Sequence, residues 1–362
     1  MRKVLLICAH RRGRSPSQRY RFEQYLDFLK LNGFELTYSN LLNEKEDLLF
    51  YSQGKLFQKI RIMLQSVIQR RKDLRQIKKY DLVFMQRESL FLGSTFFEKG
   101  VKKAGVPIIY DFDDSIWLAD TSPGNKKWEW LKSPEKIFKT VALADLVIAG
   151  NRYLAEKVRD HCKELIVIPT SIDTSIHRPI PALRNDETVV IGWSGSISTI
   201  KHFNLLVPVL QRIQQKYQEA VRFKIMADKT YVHPEIQVES CIWSAETEVE
   251  ILNSFDIGIM PLPDDEWSRG KCGLKGLSYM ACGVATVMSS VGINSEIINN
   301  GDNGLLATDE EDWFKALCRL IDNKTERNRL GEAGRKTVQD FYSTEALQEL
   351  YLQNFRQACG LS

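Results

Sequence analysis

Short apolar runs alternate with amphipathic stretches along the whole chain. In the first half the runs lie at residues 3–9, 34–39, 81–86, 106–112, 145–150 and 165–169; in the second at 188–195, 221–227, 255–262 and 284–290. Each is apolar nearly throughout and bounded by turn residues, the pattern of a strand covered on both faces of a parallel sheet. Between them, 18–32, 56–79, 151–161, 201–217 and 310–322 carry helical spacing. Two successive series of this strand–helix alternation predict an α/β chain of two doubly wound, Rossmann-like domains. Residues 169–188 hold three prolines and no periodicity, so they read as the linker. The domains are therefore placed at 1–180 and 181–341. At the end of the chain, Leu347, Leu350, Tyr351 and Phe355 share one face of a helix over 345–359. That stripe needs a partner beyond its own helix, so residues 342–362 are expected to pack back on an earlier part of the molecule.

Length agrees with two domains, because 362 residues exceed the roughly 250–300 at which one core stops growing. Hydrophobic residues at 43% and charged residues at 27% are ordinary for a globular chain and exclude a disordered or collagen-like one. No apolar stretch reaches the ~18 residues of a membrane span. The N-terminal MRKVLLICAH starts like a leader, but Arg11, Arg12 and Arg14 stand where a cleavage site would lie, so it reads as a buried strand. Seven scattered cysteines without a CxxC pair imply reduced thiols and a cytoplasmic protein. The net charge of +4 conceals an asymmetry: residues 1–180 carry 32 basic and 21 acidic groups, the remainder 18 and 25. The basic half is expected to meet something anionic.

Five stretches can carry chemistry. Residues 191–206 run from a strand through Ser194, Gly195 and Ser196 into a helix that begins near Thr199, with Lys201 in its first turn. Backbone N–H groups at such a turn suit an anion. Residues 264–306 place Arg269, Lys271 and Lys275 around a glycine-rich turn, followed by a strand and a second turn at 289–294 with Glu296 beyond. Two neighbouring strand ends with cations and open backbone suit a diphosphate. Asp111, Asp113 and Asp114 follow a strand and suit a sugar-facing carboxylate, a metal ligand or a turn cap. Arg11, Arg12, Arg14, Arg19 and Arg21 follow the first strand and suit either an acceptor phosphate or a solvated loop. Residues 55–79 hold nine basic groups and one acid with apolar residues at helical spacing, which suits an anionic membrane surface or a packed helix with a basic outer face equally well. No nucleic-acid reading motif accompanies them. The five histidines form no ligand pair, and no metal is assigned.

The order of motifs in the second half resembles the nucleotide-binding domain of family-4 retaining glycosyltransferases of the GT-B fold. The resemblance rests on Y-M-A-x-G-V-x-T-V from Tyr279, on S-x-V-G-x-N-S-E-I-I-x-x-G-x-N-G-L-L-A from Ser289 and on the spacing of Gly195 to Lys201. Residues 110–117, 144–158 and 167–173 add matching segments in the first half. The resemblance implies a GT-B fold whose two domains face a cleft, with the final helix returning to the N-terminal domain. It implies a UDP- or GDP-sugar as donor, a glycan or lipid-linked acceptor, no metal and no further cofactor. It makes Lys201, Lys275 and Asp113 the catalytic candidates, and Gly195, Ser196, Lys271, Ser278, Asn294 and Glu296 the donor-binding ones. The acceptor domain would be 1–180 with 342–362, and the donor domain 181–341. The implied setting is cell-surface polysaccharide or glycolipid synthesis at the inner face of the plasma membrane. Three positions depart from the family: Ser196 replaces a common arginine, and Gly270 and Ser278 replace its paired glutamates. Asp264, Asp265 and Glu266 are candidates to replace the lost carboxylate. An epimerase of the same fold, and a non-catalytic binding partner, are the competing readings.

Overall fold

The computed structural model describes residues 1–361 other than 53, 119–132, 134, 181–182 and 184–187, so the end of the expected linker lies outside the described residues. The chain divides into two compact units, Met1–Thr170 with Leu347–Ser362, and Ser171–Ala346.

The first unit is built on β1 (Arg2–Cys8), β2 (Phe34–Asn40), β3 (Leu82–Gln86), β4 (Ile108–Phe112), β5 (Leu146–Ala149) and β6 (Leu165–Val167). They form one parallel sheet in the order β2-β1-β3-β4-β5-β6. The second unit is built on β7 (Val189–Ser194), β8 (Val221–Ala227), β9 (Val238–Ile242), β10 (Ile257–Met260), β11 (Ala285–Ser289) and β12 (Leu305–Ala307). Its parallel order is β12-β11-β10-β7-β8-β9. Every strand expected from the apolar runs is present. The two that the runs did not reveal are β9, half-exposed and carrying Glu239, and β12, three residues long. Neither buries enough apolar surface to write a run.

In each sheet the winding reverses beside the first strand. The chain leaves β1 for β2 on one side and returns to β3 on the other; it leaves β7 for β8 and returns to β10. Crevices outside the carboxyl ends at such reversals are where doubly wound sheets take ligands. Central strands such as β3, β4 and β11 are buried at every residue, which fixes these ends on rigid elements.

The unit boundary falls ten residues before the expected 180/181. Residues 171–180 belong to the second unit because its side chains hold them: Ile180 N–H donates to Asn253 Oδ1 at 2.7 Å, and Asn253 Nδ2 donates to the Arg178 carbonyl at 3.0 Å. Arg335 Nη1 donates to the His177 carbonyl at 3.0 Å.

The final helix, Thr344–Ala358, returns to the first unit as expected. Its stripe differs by one residue. Leu352 is buried and Leu350 is 37% exposed, so the packed face is Tyr351, Leu352 and Phe355. Tyr351 stacks on Tyr25 with ring centres 4.3 Å apart, and Phe355 sits 5.5 Å from Phe84 and 5.7 Å from Phe34. Among the described residues no helix is long and apolar enough to cross a membrane.

Phe355→Ala should cost about 3–5 kcal/mol of stability, because it empties a buried aromatic site, whereas Leu350→Ser should stay within about 0.5 kcal/mol. Thermal melts of the two variants check this; equal losses would mean that the helix packs by another face.

Candidate active site

The cationic site of the second unit forms where β7, β10 and β11 end. β7 passes through Trp193 and Ser194 into Gly195, then through a short turn into the helix Ile200–Asn204. Opposite lies the helix Leu274–Ala281, capped by Gly273 in the left-handed region at φ 71°. Two glycines let this helix sit close on the sheet. A Cβ at Gly276 would fall 1.7 Å from Met288 Cε on β11, and one at Gly258 on β10 would fall 2.5 Å from the Tyr279 ring. Tyr279 then ties the helix to β7: its hydroxyl accepts from Ser194 N–H at 2.7 Å and lies 3.0 Å from Ser194 Oγ. Lys275, one turn earlier, is thereby brought over the Gly195 turn.

Lys275 Nζ lies 4.7 Å from the centre of the Trp193 ring and 3.5 Å from Thr199 Oγ1. Gly195 has no room for a side chain, since a Cβ there would meet Trp193 at 2.6 Å and Lys275 Cε at 2.8 Å. Burial pushes the Lys275 ammonium down to about 7, and the neighbouring Lys271 ammonium adds to the effect. Lys271 itself stands over the Trp267 ring at 4.4 Å. Lys201 is exposed in the first turn after Thr199. His202, beside it, is buried and is pushed down to about 4 by burial, then by Lys275, Lys201 and Lys271. The charges of the three lysines act on this imidazole in the same direction, opposed by Asp265. Its Nδ1 is buried without a partner, as is the Trp193 indole nitrogen. Sequence reasoning missed His202 and Tyr279, because only their placement between the turn and the lysines makes them informative.

The other expected donor-binding residues divide. Ser196 is exposed and pairs with Ser198 Oγ at 2.7 Å. The backbone nest expected at this turn is largely taken: Gly195 N–H donates to the Met226 carbonyl at 3.0 Å, and Ile197 N–H to Asp228 Oδ1 at 2.6 Å. Ser278 is buried and donates its hydroxyl to the Leu274 carbonyl of its own helix at 2.9 Å. Asn294 is buried beneath the second turn, where its Nδ2 donates to the Ser289 carbonyl at 3.1 Å and its Oδ1 has no partner. Glu296 is exposed on the short helix Asn294–Ile297. The two turns touch through Gly292, whose Cβ would lie 2.8 Å from the Arg269 carbonyl oxygen. Of the other charged candidates, Arg269 forms a two-pronged pair with Asp264 at 2.7 and 3.1 Å, and Asp265 caps the helix Glu266–Arg269 by accepting from Ser268 N–H.

In the first unit, the carboxyl ends of β3 and β4 carry a second cluster. Asp113 Oδ1 accepts from Ser17 Oγ and from Arg87 Nε, each at 2.6 Å, and Gln86 Nε2 donates to the same Ser17 oxygen at 2.6 Å. Burial opposes the charge of Asp113, but Arg87 and Arg21 outweigh it and hold the carboxyl below its usual range. Arg87 adopts φ 57°, a left-handed backbone that is uncommon outside glycine and clusters at working sites. Asp111 is bound by Arg21 in a fully buried pair, and Asp114 lies 3.3 Å from Arg87 Nη2. Among the described residues no group of three or more His, Cys, Asp or Glu is arranged to hold a metal ion.

The arginine loop does not form a phosphate claw. Arg21 is enclosed between Asp111 and the Ile168 carbonyl, while Arg11 and Arg14 both turn to Asp47. Arg19 lies over the Tyr20 ring at 5.1 Å. Arg12 is exposed, 4.0 Å from Asp27.

The comparisons with known proteins agree with this fold. The architecture is the GT-B fold. Sucrose-phosphate synthase from Thermosynechococcus elongatus is similar over 100% of both chains, with a TM-score of 0.74 and 14% identity. A glycosyltransferase from Rickettsia africae is similar over 100% of this chain and 99% of its own, with a TM-score of 0.69 and 13% identity. Anabaena HepE, solved in complex with UDP-glucose, is similar over 98% and 99%, with a TM-score of 0.67 and 12% identity. Residues 188–323, which hold the whole lysine cluster, match the family model described as "Glycosyl transferases group 1". No curated protein matches the sequence.

Lys275 has a folded value near 7 against an ordinary 10.5, so the unfolded chain binds its proton more readily. Its charge therefore costs stability in full below about pH 7, and the cost fades as pH rises from 7 toward 10.5. Lys275→Met should melt above wild type at pH 6, with the gap narrowed at pH 9 and closed only near pH 10.5. A variant that melts below wild type at pH 6 would place the lysine in an ordinary stabilising contact.

Proposed function

We propose that the chain is a metal-independent, retaining glycosyltransferase of the hexosyltransferase type. It moves a sugar from a UDP- or GDP-sugar to a glycan or lipid-linked acceptor in cell-surface polysaccharide or glycolipid synthesis, and it works in the cytoplasm. One observation carries the reading: Lys275 stands 4.7 Å from the Trp193 ring and 3.5 Å from Thr199 Oγ1 at the β7/β10 reversal of a GT-B fold, without a carboxylate partner among the described residues, and Lys201 and Lys271 lie on the adjoining segments. A diphosphate supplies the missing charge. The family match over 188–323 and the UDP-glucose bound by a protein of the same fold support the donor class.

In the reaction, the bond from the anomeric carbon to the diphosphate oxygen breaks and a bond to the acceptor oxygen forms on the same face. The acceptor's proton passes to the leaving phosphate. Lys275 and Lys201 stabilise the charge that grows on that phosphate, which is the largest demand of the step. Lys271 extends the cationic surface along the diphosphate. Gly195 and Ser196 let the chain pass close to it, Asn294 sets the second turn, and Glu296 stands at its rim for the nucleoside. Asp113, kept ionised in the first unit, accepts hydrogen bonds from sugar or acceptor hydroxyls. The competing reading of a non-catalytic binding partner is favoured by Ser278, whose hydroxyl is engaged by its own helix where the resembling family has a ribose-binding glutamate.

Donor turnover, followed as release of nucleoside diphosphate with candidate acceptors, tests the reading. Lys201→Ala and Lys275→Ala should each lower it about 10²–10³-fold while leaving the far-ultraviolet circular dichroism unchanged. Turnover should persist in excess chelator. Interconversion of the free donor sugar without transfer would make the protein an epimerase, and UDP binding without either reaction would make it a binding partner.

A further inference from the structure

The helix Leu56–Gln76 has two faces of different character. Ile62, Ser66, Arg70 and Asp73 point inward, and Ile77 follows on the same side. Arg70 is fully enclosed, donating to the carbonyls of Cys8, Ser39 and Ser89 and pairing with Asp73 at 2.8 Å. It is a structural residue, and the helix's only acid is spent on it.

The opposite face is apolar and exposed. Phe57 is 85% exposed, Leu64 60%, Ile68 51% and Ile60 38%. Steps of three, four and four residues set them in one line along the helix. Over roughly 16 Å of helix these side chains form one line of exposed apolar surface. Arg71 and Arg75 continue the same line toward the C-terminal end, flanked by Arg61 and Lys72 and followed by Lys78 and Lys79, all exposed. Every charge on this face is positive. Leu48 and Tyr51, on the preceding helix Glu44–Tyr51, add further exposed apolar surface.

We propose that this face docks on an anionic lipid surface. The apolar line enters the boundary between headgroups and acyl chains, and the arginines and lysines beyond it engage lipid phosphates. Charge complementarity selects this occupant: an all-basic rim running on from a straight apolar line matches a surface that is apolar within and anionic at its edge. Long basic side chains also reach headgroups while their stems cover apolar surface. The inference rests on the first unit's surface and stands apart from the transfer reading, although a lipid-linked acceptor would be met there.

Co-sedimentation of the whole chain with vesicles tests it. Wild type should bind phosphatidylcholine vesicles containing phosphatidylglycerol, less so at high salt, and should ignore phosphatidylcholine alone. Arg71→Gln with Lys72→Gln and Arg75→Gln should weaken partitioning on the order of a hundredfold. Phe57→Ser with Leu64→Ser and Ile68→Ser should abolish it even at low salt. Both triple variants change only exposed residues, so UDP binding by calorimetry should match wild type. Wild type that binds UDP but stays in solution with anionic vesicles at low salt overturns the docking proposal and leaves the transfer reading standing. Vesicle binding without UDP binding does the reverse. Equal binding to neutral vesicles, or a dimer that the serine variant converts to a monomer, assigns the face to another partner and also refutes the proposal.

Discussion

A lysine ammonium held over an indole ring, with a second ammonium beside it and no carboxylate among the described residues to answer it, is the constraint around which the second unit is arranged. Such a charge is costly to keep. The lysine is held there by a close-packed support: Gly258 and Gly276 let the helix Leu274–Ala281 sit on β10 and β11, and Tyr279 bonds that helix to the end of β7. Gly195 leaves the space that Lys275 fills. The unpaired polar atoms of His202, Trp193 and Asn294 lie around the same turns.

The first unit solves the opposite problem. Its carboxylates are already answered, Asp111 by Arg21 and Asp113 by Arg87 and Ser17, so its site offers fixed hydrogen-bonding groups with little uncompensated charge. The basic excess of this half is divided between arginines consumed inside the loop and fold and those displayed on the helix Leu56–Gln76. Net charge alone did not separate the two. Arg70 and Arg21 read as surface cations in the sequence and are among the most enclosed side chains of the molecule.

The limits of legibility follow from periodicity. Strands buried on both faces write continuous apolar runs, so β1, β3, β4, β7, β10 and β11, and with them the strand ends that carry the site, could be read directly. The half-exposed edge strand β9 and the three-residue β12 could not. Lys201, Lys271 and Lys275 were legible because they stand beside glycine turns that follow strands. The Tyr279–Ser194 bond was not, since it joins residues 85 apart and looks like core packing from either end. Leu350 shows the finer limit: an apolar residue on the apparent stripe is 37% exposed, while Leu352, just off it, is buried.

The central claim is that Lys275 holds the diphosphate. If it does, binding must draw a proton onto the lysine at a pH where the free protein has largely lost it. Calorimetry of UDP binding at pH 8 in buffers of different ionisation enthalpy measures this directly. The account predicts uptake of a substantial fraction of a proton on binding to wild type, and its disappearance together with most of the affinity in Lys275→Met. UDP binding of unchanged affinity in that variant, with the same proton balance as wild type, would contradict it.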